Sequence, residues 1–333
     1  MPRVVIATPL EPELVERLRR IDDRLDIAFE PELLPRARWA SDHIGGPEFV
    51  RTPGQEARFT ELVAGAEIVL GYPREDPAQI AWLVRTAPAL RWVQGTFAGS
   101  GQQLSAAGVP REDVERIMWT SSVGIHTTPL GEWALLGILA LTKDLQRLEA
   151  DKRARRWAHY PVDEVSGTTV LIAGLGEIGR EVARLAEAFG MNVLSTRRAE
   201  GDLDELLPRA DSVVVTLPLT DETRGMFDRR RIGLMKPGAI FVNIGRGPVV
   251  DEDALIDALR SGHLRGAALD VYSTEPLPAD SPLWELENVI LSPHTAAQSI
   301  HENERIVELF ADNLRRYLTG RELRSRIRTD LFY

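Results

Sequence analysis

Cysteine is absent from the 333 residues. That excludes disulfides, thiolate metal sites and a cysteine nucleophile, and no metal is expected. A basic surplus is also absent: 40 Lys and Arg stand against 50 Asp and Glu, a formal charge of −10. Neutralising a phosphate backbone needs basic patches, so a nucleic-acid partner is not expected. A small anionic substrate needs only one or two local cations and stays open. No long apolar run exists. The most apolar stretch, 133–141, is too short to cross a bilayer. The opening MPRVVIATPL lacks the basic, apolar and cleavage regions of a secretory signal. A cytoplasmic protein without a membrane partner is the expectation.

What is present is globular. Hydrophobic residues make up 44% and charged residues 27%, and the length suits two domains. Apolar runs at 4–7, 25–29, 68–70 and 90–93 read as strands, and amphipathic stretches at 13–20, 56–64 and 77–87 as helices. Strands alternating with helices predict a parallel α/β sheet. Residues 35–53 break the pattern with Pro35, Gly45, Gly46, Pro47 and Pro53. They read as a long loop, either a flap beside a substrate or a plain excursion. Residues 127–151 read as a helix, with 133–141 apolar nearly all round, so it must be buried on several sides. It is either a connecting helix or an oligomer contact. The basic run 152–156 reads as a solvated face. From residue 168 a second α/β unit begins, with strands at 169–173, 192–195, 212–217, 239–243, 266–269 and 289–291. Helices are expected at 179–189, 203–207, 229–234, 254–261 and 299–318.

The strand 169–173 runs into GLGEIG, which places Gly174, Gly176 and Gly179 in the spacing G-x-G-x-x-G. The preceding strand, following helix and next strand are the context that a dinucleotide loop requires. The first glycine permits a tight turn, the second lets backbone approach a pyrophosphate, and the third allows helix–strand packing. The helix N-terminus offers free N–H groups to the phosphates. Leu175, Glu177 and Ile178 belong to the same loop. The end of the next strand selects between cofactors. An acid there would bond the ribose hydroxyls of NAD, but the sequence has Thr196, Arg197 and Arg198. Guanidinium groups pair with a 2′-phosphate that a carboxylate would repel. NADP(H) is therefore expected, with NAD(H) kept open by Glu200 and Asp202. Leu217, Pro218 and Ile244, at later strand ends, complete the expected cofactor contacts.

Three further segments place polar residues after apolar strands: NIGRGPVVDEDAL at 243–255, ALDVYSTEPLP at 268–278 and LSPHTAA at 291–297. Strand carboxyl ends form the ligand crevice of an open α/β sheet, so Arg246, Glu275 and His294 should converge. Reduction of a 2-oxo acid needs a fork-shaped cation for the carboxylate, which Arg supplies. It needs a proton donor for the carbonyl oxygen, which His supplies near neutral pH. A carboxylate beside the imidazolium stabilises it. Of the six histidines, only His294 follows a strand and a proline in the second unit.

Together with the glycine loop, these segments resemble the D-isomer-specific 2-hydroxyacid dehydrogenase family, which includes glyoxylate/hydroxypyruvate reductases. The resemblance covers nearly the whole chain and is strongest over 120–297. It implies two Rossmann-like or flavodoxin-like parallel-sheet domains, with a coenzyme domain (122–296) inserted into a catalytic domain (1–121 plus 297–333). It implies that Arg246 binds the carboxylate, that Glu275 pairs with His294, and that His294 is the acid/base. It further implies that Asp270 bonds the nicotinamide amide. The segment LRWVQGTFAGSGQQL resembles the family's substrate loop, whose amides near Ala98, Gly99 and Ser100 would hold the carboxylate. Residues 127–148 resemble a dimer-forming arm, which implies a homodimer. The excursion at 35–53 has no counterpart in this reading.

Two alternatives remain at this point. A formate- or phosphite-type dehydrogenase shares the resemblance, although Glu275 argues against the formate type. A nucleotide-sensing corepressor-type protein keeps the fold, although no long tail or basic tract favours it. The substrate's side chain is open among glyoxylate, hydroxypyruvate and larger 2-oxo acids.

Overall fold

The computed structural model describes residues 1–196, 202–330 and 332. The chain divides into two compact units. One comprises 1–125 and 299–333, and the other comprises 126–298.

The first unit runs β1 (Arg3–Ile6), α1 (Pro12–Arg19), β2 (Asp26–Ala28), α2 (Pro53–Ala64), β3 (Ile68–Leu70), α3 (Pro77–Thr86), β4 (Trp92–Gln94), α4 (Ser100–Ala106), α5 (Arg111–Arg116) and β5 (Met118–Thr120). Its five strands are all parallel, in the order β2-β1-β3-β4-β5, which is the flavodoxin-like arrangement. Successive side chains go to opposite faces of a strand. Val5, Val69 and Val93 accordingly enter one core cluster, and Val4, Ile6, Ile68 and Trp92 enter the other. Trp92 is fully buried; its indole donates to Thr120 Oγ1 at 2.8 Å.

The second unit runs α6 (Thr127–Thr142), α7 (Leu145–Arg153), β6 (Thr169–Ala173), α8 (Glu177–Ala188), β7 (Asn192–Ser195), α9 (Leu203–Leu206), β8 (Ser212–Val215), α10 (Arg229–Leu234), β9 (Ala239–Asn243), α11 (Glu252–Arg260), β10 (Leu264–Leu269) and β11 (Val289–Leu291). A final helix, α12 (Glu302–Leu318), belongs to the first unit, where it packs on α1. The six strands of the second unit are parallel, in the order β11-β10-β9-β8-β6-β7. The strand order reverses beside β6, which makes its carboxyl end the switch point where such sheets bind ligands. Both faces of this sheet are apolar. Leu171, Val213 and Phe241 face one cluster, and Val170, Ile172, Val214 and Val242 face the other. Each such side chain stabilises the fold by about 1.5–3 kcal/mol relative to exposure.

Several expectations need correction. The helix read over 127–151 is two helices, broken at Asp144, which takes a left-handed conformation (φ 51°). Short polar side chains tolerate that conformation better than most. Arg265 fixes the break by donating to both Thr142 O (3.1 Å) and Asp144 Oδ1 (2.9 Å). Much of the apolarity of α6 is intramolecular. Gly137 lies so near β10 that a Cβ on it would approach the Ala268 side chain to 2.5 Å. The strand read at 90–93 begins at Trp92, and the strand read at 212–217 ends at Val215. The closing helix starts at Glu302 rather than at 299. α4, α5 and β5 have no counterpart among the elements expected from the sequence. Each is a short element, and β5 is completed by residues far along the chain: Ile327 N donates to Trp119 O at 2.8 Å.

The excursion at 35–53 is irregular up to the start of α2. Its two ends are stitched together: Arg51 Nε donates to Leu33 O at 2.6 Å, and Gln55 Nε2 donates to Glu32 O at 3.2 Å. Thr52 and Gln55 form a capping box on α2. Inside the loop, the buried Asp42 carboxylate accepts from the backbone and guanidinium of Arg38 and from Gly45 N. Those donors hold Asp42 well below the usual carboxylate range despite its burial. Thr8 Oγ1 and His43 Nδ1 lie 2.8 Å apart and fasten the loop to the end of β1.

Candidate active site

The glycine loop follows β6 directly. Gly174 has φ 104°, a region that side-chain-bearing residues avoid. A Cβ on Gly179 would stand 2.1 Å from Gly174 O, so helix α8 can begin here only with glycine. A Cβ on Gly176 would meet nothing within 4 Å, so the middle glycine faces open space. The N-terminus of α8 has no side-chain cap, and its first N–H groups are available to an external acceptor. These features fit a dinucleotide pyrophosphate. The loop is held from two sides. Gly174 N donates to Thr196 Oγ1 at 3.2 Å, and the Thr216 hydroxyl donates to Gly174 O. Thr196, expected as a cofactor contact, therefore also fixes the loop itself. Leu217 lies beside both the glycine loop and Gly245. Ile244 is buried in the core cluster beneath. Arg197 and Arg198, with Glu200, lie outside the described residues.

The other predicted residues sit past the carboxyl ends of β9, β10 and β11. Arg246 follows β9, and its Nη1 donates to Gly245 O at 2.7 Å. Gly247 packs against the 270–275 segment so closely that a Cβ would lie 1.8 Å from Tyr272 O. Glu275 and His294 are joined directly: Nδ1 of His294 is 2.7 Å from Glu275 Oε2. Both side chains are partly exposed. The other carboxylate oxygen of Glu275 accepts from Tyr272 N at 3.1 Å. Pairing through Nδ1 leaves Nε2 as the ring nitrogen outside this contact.

His294 has φ 55°, a left-handed conformation that costs about 1–3 kcal/mol for a residue with a side chain. Asp270 supports it. His294 N donates to Asp270 O at 2.9 Å, and Asp270 Oδ1 accepts from Thr295 N, Ala296 N and Ser292 Oγ at 2.8, 3.0 and 2.6 Å. Asp270, expected only as a nicotinamide partner, is thus also the anchor of the histidine turn.

Tyr272, Ser292 and Thr216 join the site without being expected from the sequence. Their hydroxyls bond to backbone carbonyls or to Asp270, and no motif spacing reveals such contacts. Tyr272 is buried, and burial together with the Asp270 carboxylate pushes its phenol up to about 12. Ala98, Gly99 and Ser100 belong to the first unit, where the uncapped first turn of α4 begins at Ser100. The Ser100 hydroxyl donates to Phe97 O at 2.7 Å, so the side chain closes its own loop. No helix among the described residues is long and apolar enough to cross a membrane.

Residues 135–296 match the family model described as the D-isomer specific 2-hydroxyacid dehydrogenase NAD-binding domain. The chain is 35% identical over 298 residues to D-3-phosphoglycerate dehydrogenase of Mycobacterium leprae, covering 83% of this chain and 55% of that protein. It thus spans little more than half the length of that relative. It is 38% identical over 241 residues to glyoxylate reductase of Thermococcus gammatolerans, covering 65% of this chain and 72% of the relative. Among solved structures, it is similar to a D-isomer specific 2-hydroxyacid dehydrogenase family protein of Aeromonas salmonicida, with TM-score 0.76, 30% identity and 99% of each chain covered. It is also similar to a D-isomer specific 2-hydroxyacid dehydrogenase of Xanthobacter autotrophicus Py2 crystallised with NADPH and MES. That match has TM-score 0.74 and 26% identity and covers 100% of this chain and 99% of the other.

Proposed function

Because the chain belongs to the D-isomer specific 2-hydroxyacid dehydrogenase family of oxidoreductases, we propose that it reduces a small 2-oxo acid to the D-2-hydroxy acid, reversibly, with NADP(H) as preferred cofactor. The observation that carries the reading is the 2.7 Å pairing of His294 Nδ1 with Glu275. A histidine so oriented presents Nε2 to the reactant for proton exchange, and Glu275 fixes the direction of the ring. Arg246 offers a guanidinium fork to the substrate carboxylate and so orients the carbonyl. When bound, the reduced nicotinamide supplies the hydride to the carbonyl carbon. Gly174, Gly176, Gly179 and the first turn of α8 would hold its pyrophosphate, with Leu175, Glu177, Ile178, Thr196, Leu217, Pro218 and Ile244 around it. Asp270 would bond its amide. In the first unit, the amides of Ala98, Gly99 and Ser100 would bind a carboxylate.

The preference for NADP(H) rests on Arg197 and Arg198 in the sequence. It is supported by the NADPH bound in the Xanthobacter relative and by the NADP bound in a probable 2-hydroxyacid dehydrogenase of Rhizobium etli, 28% identical. The glyoxylate reductase among the relatives favours a substrate of few carbons. The test is turnover with NADPH and with NADH against glyoxylate, hydroxypyruvate and larger 2-oxo acids. Absence of turnover across the panel would reject the reading, and a higher kcat/KM with NADH would reject the cofactor preference.

A homodimer through the α6–α7 region belongs to the same proposal. Leu136, Leu145 and Leu148 on these helices are exposed, and exposed apolar side chains of this kind are what a protein contact would cover. A monomeric mass by light scattering would reject it.

A further inference from the structure

Tyr272 touches the supports of all three residues assigned to the chemistry. Its backbone N–H donates to Glu275 Oε1 at 3.1 Å. Its backbone carbonyl is the surface against which Gly247 packs, one residue after Arg246. Its hydroxyl lies 2.8 Å from Ser292 O and 3.0 Å from Leu269 O. Leu269 ends β10 and Leu291 ends β11, so one buried phenol bridges the exits of two neighbouring parallel strands. The loop from β10 carries Glu275, and the loop from β11 carries His294.

The hydroxyl sits where the bridge matters. Ser292 O also accepts from His294 N at 3.0 Å, so the carbonyl held by Tyr272 belongs to the turn that keeps His294 left-handed. Asp270 fastens the far side of that turn through Thr295 and Ala296. On the near side, the Ser292 hydroxyl is tied to Asp270 and the Ser292 carbonyl to Tyr272. A strained conformation persists only where its surroundings over-determine it, and Tyr272 is the support that also reaches Glu275 and the Arg246 turn. Its ring is buried in the core cluster below the sheet end, which makes the bridge rigid.

We propose that Tyr272 is a positioning residue for the reaction, registering the His294 turn against Glu275 through its hydroxyl. The proposal rests on the assignment of His294 as proton donor. Misplacing such a group by a fraction of an ångström lowers the chemical step more than binding.

The test is Tyr272→Phe, which keeps the ring and removes only the hydroxyl, with His294→Asn as reference. In Tyr272→Phe, kcat for 2-oxo acid reduction should fall roughly tenfold, with the Kd for NADPH unchanged and KM for the acid altered less than kcat. In the cofactor-free protein, the deshielded Nδ1–H resonance of His294, assigned by its loss in His294→Asn, should broaden or move in Tyr272→Phe. An inactive His294→Asn beside a Tyr272→Phe with wild-type kcat and an unmoved resonance would overturn the proposal. A uniform loss of active protein, with the resonance unmoved, would reduce Tyr272 to a structural role and overturn it as well. Near-wild-type turnover of His294→Asn would instead reject the proton-donor assignment, while the resonance would still report on the brace.

Discussion

Gly179 faces the carbonyl of Gly174 so closely that a Cβ on it would stand 2.1 Å from that oxygen, whereas a Cβ on Gly176 would touch nothing within 4 Å. The two glycines therefore answer to different demands, one from the fold and one from a ligand. Gly179→Ala should destabilise the second unit by about 1–3 kcal/mol, as overpacking does, with a lowered midpoint in denaturant. Gly176→Ala should leave the unfolding free energy within about 0.5 kcal/mol of wild type, yet weaken NADPH binding measured by fluorescence titration. Equal effects of the two changes on stability would contradict this division.

The catalytic assignments separate by kinetic parameter. His294→Ala should lower kcat by about 10²–10⁴, the range of general acid catalysis, with little change in cofactor Kd. Arg246→Lys keeps the charge but loses the fork, so KM for the 2-oxo acid should rise roughly tenfold with a smaller loss in kcat. Steady-state kinetics with NADPH held saturating would distinguish them. A kcat near wild type for His294→Ala removes that residue from its role.

Much of this site was legible in the sequence because chemistry and strand ends coincide there. Gly174, Arg246, Glu275 and His294 each follow an apolar run, and parallel strands place such positions on one edge. What stayed hidden depends on side chains reaching across the sheet. The Tyr272 hydroxyl meets Ser292 twenty residues further on, and Asp270 holds Thr295 and Ala296, although neither contact leaves a periodic trace. The short elements were hidden for a related reason. β5 has three residues and gains its definition from Ile327 and Ser325, far along the chain.

The Tyr272 phenol makes alkaline stability a readout of the bridge. Its folded value, pushed up to about 12, lies above the ordinary 10.0. The contribution of the neutral phenol is therefore fully present below about pH 10 and is lost as pH rises through about 12. Urea unfolding at pH 8 and at pH 11 should show a smaller pH-dependent loss for Tyr272→Phe than for wild type. Identical losses would show that the phenol is not held neutral by the fold.

The Asp42 clasp gives the opposite sign. Its carboxylate is depressed by Arg38 and by the amides of Arg38 and Gly45, so its contribution is present above the ordinary carboxylate range and is lost as pH falls into and below it. Asp42→Asn should cost about 1–3 kcal/mol by leaving buried donors poorly matched. It should also expose the peptide bonds of 35–53 to protease before the rest of the unit unfolds. A digestion pattern unchanged from wild type would argue that the clasp is dispensable.

The stitching of that excursion has a consequence for engineering. Glu32 and Leu33 are bonded to Gln55 and Arg51, and the capping box closes the exit into α2. The two stumps of the loop are thus held at a fixed spacing by residues that flank the insert or lie at its edge. Changes confined to the exposed positions of 35–50, away from the buried Ser41, Asp42 and His43, should therefore leave the register of the sheet unchanged. The contacts of Thr8 and Glu302 with His43, and of Arg74 with the carbonyls of Gly46 and Phe49, mark places where a transplanted segment would need new fasteners.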